Sequence, residues 1–91
     1  MTLILKESTR FRRDVNLMKR RSKDITKLQR VILSLVQQEP LSPRLKDHPL
    51  IGNWSGYREC HIEPDWLLIY EITKDDVQLV RTGTHSDLFK K

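Results

Sequence analysis

From Tyr57 to Thr82 apolar and polar residues alternate with a period of two, and turn-forming triplets, Glu63-Pro64-Asp65 and Lys74-Asp75-Asp76, cut the run twice. Successive side chains of a strand point to opposite faces, so the pattern predicts three strands, over 57–62, 66–72 and 77–82, joined by tight turns. Trp66, Leu68, Tyr70 and Ile72 fall on one face of the middle strand, with Leu67 and Ile69 on the other. In the strand before it, Tyr57, Glu59 and His61 share a face, and Arg58, Cys60 and Ile62 take the opposite one.

The first half changes period. Thr2-Leu3-Ile4-Leu5 reads as a short strand. Ser8 or Thr9 can cap a helix running to about Arg21, with Phe11, Val15 and Met18 on one face. Asp24 can cap a second, carrying Ile25, Leu28, Ile32, Leu35 and Val36 at the same spacing, and Pro40 and Pro43 place its end before Glu39-Pro40. A Pro- and Gly-containing loop follows over 41–56, and Gly83 precedes a short helical tail with His85, Leu88 and Phe89. The order β-α-α-β-β-β predicts an α+β fold, two N-terminal helices packed on a small antiparallel sheet.

Ninety-one residues make one domain, 1–91, able to bury about two-thirds of the surface its unfolded chain exposes. No apolar run approaches the ~20 residues that span a bilayer, and Met1–Lys6 is too short for a signal peptide, so no membrane association is expected. Cys60 is the single cysteine; no intrachain disulfide can form, which fits a reducing, cytoplasmic setting. The net charge of +5 is unevenly spread. Residues 1–46 carry twelve Lys/Arg against four Asp/Glu, or +8, and residues 47–91 carry five against eight, or −3. The basic half is expected to be the footprint for a polyanion such as RNA, with Arg12, Arg13, Arg20 and Arg21 as candidate contacts. A solvated helix face is the plainer account of the same charges.

All three histidines lie in the acidic half, within Lys46-Asp47-His48-Pro49-Leu50, Glu59-Cys60-His61-Ile62-Glu63-Pro64-Asp65-Trp66 and Arg81-Thr82-Gly83-Thr84-His85-Ser86. Each falls in a predicted loop or near a strand end, where a scaffold can present it to a ligand. Histidine titrates near neutrality, and a cluster of it suits proton transfer. Arg81 follows Val77 and Leu79 on a strand face where a third apolar residue is expected; a charge there serves a phosphate, a carboxylate partner or edge protection. Trp54, between Gly52 and Gly56, can cover the edge of the core or stack on a base. Trp66 reads as core, with a ring able to hold His61 or Asp65, and Phe89 can dock the tail or close the site. Adjacent Cys60 and His61 face opposite sides, and no CxxC or HxxxH spacing occurs, so neither a metal nor another cofactor is expected. Histidines, Asp65 and Arg81 together make the outfit of a metal-free nuclease.

The same phrases carry a resemblance. Asp47-His48-Pro49-Leu50, Gly52-Asn53-Trp54-Ser55-Gly56-Tyr57-Arg58, His61-Ile62-Glu63-Pro64-Asp65-Trp66-Leu67-Leu68-Ile69-Tyr70 and Arg81-Thr82-Gly83-Thr84-His85-Ser86-Asp87-Leu88-Phe89 resemble the motifs of YafQ-type toxins, of the RelE/ParE superfamily of bacterial toxin–antitoxin systems. The likeness is detailed from Lys46 to Phe89, and the β-α-α start agrees in pattern. It implies a RelE-like fold and a ribosome-dependent endoribonuclease that cuts mRNA in the ribosomal A site and is silenced by a cognate antitoxin. The implied catalytic positions are His48, His61, Asp65 and His85; the implied substrate contacts are Arg81, Trp66 and Phe89. The implied reaction is transesterification by the ribose 2′-OH, with His85 and Asp65 or His48 moving protons, Arg81 on the phosphate and His61 orienting or supplying charge. DNA, lacking the 2′-OH, should not be cut. Two other classes stand beside this one: a non-catalytic RNA-binding module, and a ParE-like gyrase inhibitor. Neither requires this set of histidines.

Overall fold

Side-chain caps open both long helices. The Ser8 hydroxyl accepts the Phe11 N–H at the start of α1 (Thr9–Arg20), and the Asp24 carboxylate accepts the Thr26 N–H at the start of α2 (Ile25–Val36). The computed structural model describes residues 2–89. Phe11 and Met18 of α1 and Leu28, Val31 and Leu35 of α2 are buried at helical spacing. The second helix stops at Val36, where the Leu3 N–H takes its carbonyl and Gln38 turns left-handed (φ 57°), a little short of the predicted boundary.

The predicted meander is present as β3 (Arg58–Glu63), β4 (Trp66–Ile72) and β5 (Asp76–Gly83). Two further strands extend it. β1 (Ile4–Glu7) lies along β5, and β2 (His48–Pro49), a two-residue strand inside the predicted loop, lies along β3, giving the order β1-β5-β4-β3-β2. The sheet is antiparallel except at one edge: β1 runs parallel to β5, Ile4 opposite Asp76 and Glu7 opposite Leu79. Two long helices and three other strands lie between these neighbours along the chain, which frees their mutual direction from the tight-turn rule that governs the meander.

Both faces of β4 are covered. Trp66, Leu68 and Tyr70 join Phe11, Met18, Leu28 and Leu35 in the main core under the helices. Leu67 and Ile69 form a smaller core on the other face with Leu88, roofed by Leu50, Trp54, Tyr57, Val80 and Phe89. Trp54 belongs to that roof: its ring stands edge-on to Tyr57 (5.8 Å) and Phe89 (6.1 Å). The tail forms α3 (His85–Phe89) directly after β5. Its return needs Gly83, where a Cβ would stand 3.0 Å from the Asp87 side chain.

One register shift alters the reading of β5. Ile69 pairs with Arg81 but Tyr70 with Leu79, so Val80 is an extra residue, a β-bulge. The bulge reverses the phase of the residues beyond it. Thr82, not Arg81, takes the place after Val77 and Leu79 on the helix side, opposite Leu68. The expectation that Arg81 shares a face with Val77 and Leu79 is therefore corrected. No helix of the described residues is long and apolar enough to cross a membrane.

Candidate active site

Alternation along β3 puts Glu59 and His61 on one face and Cys60 on the other, and pairing with β2 sets His48 directly opposite Glu59. The result is a carboxylate shared between imidazoles. Glu59 Oε2 lies 2.9 Å from His48 Nε2 and 3.8 Å from His61 Nε2. Glu59 is only 5% exposed, and its other oxygen, Oε1, is buried without a hydrogen-bond partner. Sequence reasoning did not single this residue out. The available signal was a charge in a strand interior, on the face of His61.

The turn from β3 to β4 and the start of α3 supply the second unit. Asp65 Oδ1 accepts the backbone N–H of His85 at 2.9 Å and lies 2.5 Å from its ring Nδ1. These bonds, the backbone one foremost, hold the Asp65 carboxyl below its ordinary range. An ionised carboxylate only accepts, so Nδ1 carries a hydrogen and Nε2 is the nitrogen left for proton exchange. Ring centroids 6.4 Å apart for His48 and His61, and 5.8 Å apart for His61 and His85, make a row of three imidazoles. Phe89 closes its end, 6.5 Å from His85.

The neighbourhood is braced from beneath. Asp47, next to His48, accepts from Arg58 Nη2 at 3.0 Å and from the Tyr70 hydroxyl. Burial and that carboxylate push the Tyr70 hydroxyl well above its usual range. Cys60, behind Glu59 and His61, is buried and its thiol is pushed up to about 12.

His48, His61, Asp65, His85 and Phe89 thus converge on one rim; the other two expected catalytic or substrate residues do not present themselves there. Trp66 is fully buried and its Nε1 donates to the Thr82 hydroxyl at 2.9 Å, so it packs beneath the rim and not on its surface. Arg81 is not a free cation for a phosphate. Its Nε and Nη2 bind the two oxygens of Asp14 at 2.7 and 3.2 Å, in a pair whose side chains are 16% and 11% exposed. The same Asp14 takes the Thr82 N–H beyond the end of β1, fastening α1 to β5. Arg21 is likewise engaged, by Asp87 at 2.6 Å, whereas Arg12, Arg13 and Arg20 are exposed and form no ion pair among the described residues.

One group was invisible to sequential spacing. His48, Glu59 and His61 offer ligand atoms that all lie within 4.8 Å of one another, a set of the kind that holds a metal ion. The expectation of no metal considered neighbours along the chain, and this set is assembled across two strands.

Comparison with known proteins agrees with this architecture. Residues 3–90 match the family described as bacterial toxin of type II toxin-antitoxin system, YafQ. The mRNA interferase toxin YafQ of Escherichia coli K12 is 46% identical over 83 residues, 90% of each chain. The crystal structure of YafQ from E. coli BL21(DE3) superposes with a TM-score of 0.92 at 42% identity, covering 96% of this chain and 98% of that one. The toxin in the E. coli DinJ-YafQ toxin-antitoxin complex superposes with a TM-score of 0.90 at 42% identity, over 98% and 99% of the two chains. The chain belongs to the YafQ family of bacterial toxins of type II toxin–antitoxin systems.

Proposed function

We propose that this toxin is an endoribonuclease that cleaves mRNA in the ribosomal A site, by acid–base transesterification, and that a cognate antitoxin silences it. The observation that carries the reading is the single row of imidazoles with a carboxylate at each end, Glu59 beside His48 and Asp65 beside His85. Activity on mRNA is supported by the relative named an mRNA interferase, and pairing with an antitoxin by the DinJ complex of another relative.

The reaction asks for little beyond proton transfer and charge. One end of the row takes the ribose 2′-OH proton, the oxygen attacks the adjacent phosphorus, and the other end protonates the departing 5′-oxygen. The products are a 2′,3′-cyclic phosphate and a 5′-hydroxyl. Asp65 fixes the His85 ring so that Nε2 is left for proton exchange, whereas Glu59 and the Pro49 carbonyl hold His48 by Nε2 at 2.9 Å and by Nδ1 at 3.1 Å. His61, between them, meets the phosphate; Arg81 contributes by holding β5 to α1. Phe89 bounds the space in which the nucleotide lies.

Programmed ribosomes carrying a defined mRNA, treated with wild-type protein and with His85→Gln, test the proposal. New 3′ ends should map to the A-site codon with wild type and be absent with the variant, and a chelator selective for transition metals should not change them. No cleavage by wild type with ribosomes, or equal cleavage by the variant, removes the proposal.

A further inference from the structure

Beside His61 the surface opens into a groove of about 580 Å³ between α2, the turn Pro43–Leu45 and the end of β3. Its rim carries Lys27, Arg30, Arg44 and Lys46, and His61 forms part of its wall. Glu63, the one acidic residue in the lining, is spent on Lys27 at 2.9 Å and Lys23 at 3.1 Å. Arg30, Arg44 and Lys46 form no ion pair among the described residues. Unlike a solvated helix face, these charges line a concavity that shares His61 with the row of imidazoles.

We infer that this groove seats the sugar–phosphate backbone of the single-stranded RNA substrate next to the scissile bond. The assignment rests on the endoribonuclease reading for its substrate. A volume of this size holds a small ligand, of the order of one nucleotide, and a basic groove is what tracks a single strand. No aromatic ring other than His61 lines it, so stacking contributes little, and the contacts available are to phosphate and ribose. The groove therefore fixes where the strand lies and leaves base preference to other surfaces. The turn that bears Arg44 is itself held: Ser42 accepts the Arg44 N–H, and Lys46 follows in the left-handed region (φ 49°).

The experiment uses the full chain carrying His85→Gln, so that RNA is bound and not consumed. Fluorescence anisotropy of short oligoribonucleotides is followed over a salt series, with and without the added changes Arg30→Glu, Arg44→Glu and Lys46→Glu. Affinity should fall for oligonucleotides of different base composition alike. The slope of log affinity against log salt should flatten by ~0.7 for each phosphate no longer neutralised. Thermal melting checks that the fold persists, and Arg44→Gln with Lys46→Gln gives a milder pair if it does not. Unchanged affinity and slope in a folded variant overturn the groove, even if cleavage by wild type stands. Loss of affinity in a protein that never cuts RNA leaves the groove in place and removes the nuclease reading instead.

Discussion

Glu59 stands at the point where stability and function pull apart. A buried oxygen without a partner costs about 1–3 kcal/mol, and Glu59 Oε1 is such an oxygen. Its twin, Oε2, orients His48 and approaches His61. Glu59→Gln keeps the shape and removes the charge, so it should slow cleavage by about 10²-fold, at the lower end of what a positioned acid or base contributes. The pH profile should lose or displace one limb, because Glu59 acts through His48, while the melting temperature holds or rises. A profile and rate like those of wild type would make the residue merely structural. Behind it, Cys60 with its thiol pushed up to about 12 stays neutral at physiological pH, so alkylation of the native protein should be far slower than of the unfolded chain. At this scale the sequence revealed side chains but not their partners. Asp65 and His85 were legible as turn and strand-end residues, while Glu59 gained its meaning only from β2 across the sheet. Arg81 was misread because one bulge residue, Val80, changes which face the chain shows.

Among the elements, α3 depends most on others. Five residues are too few for a helix to persist alone, yet this one begins with His85. Asp87 secures it by accepting the Thr84 N–H at 2.9 Å and gripping Arg21 at 2.6 Å, and Leu88 enters the second core. The Arg21 guanidinium, foremost, holds the Asp87 carboxyl down at about 2, against an ordinary 3.8. A carboxyl lowered by folding contributes stability that is complete above its unfolded value and lost as pH falls through its folded one. Melting temperature should therefore drop between about pH 4 and pH 2 in wild type and less steeply in Asp87→Asn. Thermal scans by circular dichroism across that window check it, and parallel curves for both proteins would deny the clamp. Arg21→Ala should in addition slow cleavage by loosening the seat of His85, whereas a role in RNA contact alone would show in binding. The helices, their caps and the three long strands were legible because each is encoded by local periodicity and local capping. β2 and the parallel β1–β5 pair were not, since two-residue pairing and strand direction across a long crossover leave no local pattern.

Over the whole molecule, the division of charge along the chain becomes a division of labour in space. Both long helices pack on one face of the sheet, and the second face is roofed by the 50–57 segment and α3. The imidazole row is drawn from β2, β3 and the start of α3, at the C-terminal end of β5, where segments far apart in sequence meet. The basic half supplies two surfaces: the groove beside His61, and the outer side of α1 with Arg12, Arg13 and Arg20, none of them in an ion pair among the described residues. Arg21 belongs to neither, being bound to Asp87. Charges exposed in this way act mainly by releasing counterions from a polyanion, so their contribution should fade with salt and hardly touch the fold. Charge reversal of Arg12, Arg13 and Arg20 together should weaken ribosome association at low salt and shrink its salt dependence, with the melting temperature close to that of wild type. Cleavage of a short RNA, if any is measurable without ribosomes, should be unaffected by those changes, because the groove and the imidazoles remain. Sedimentation of the variant with ribosomes over a salt series decides the point: co-sedimentation equal to wild type at every salt concentration would confine RNA contact to the catalytic side of the molecule.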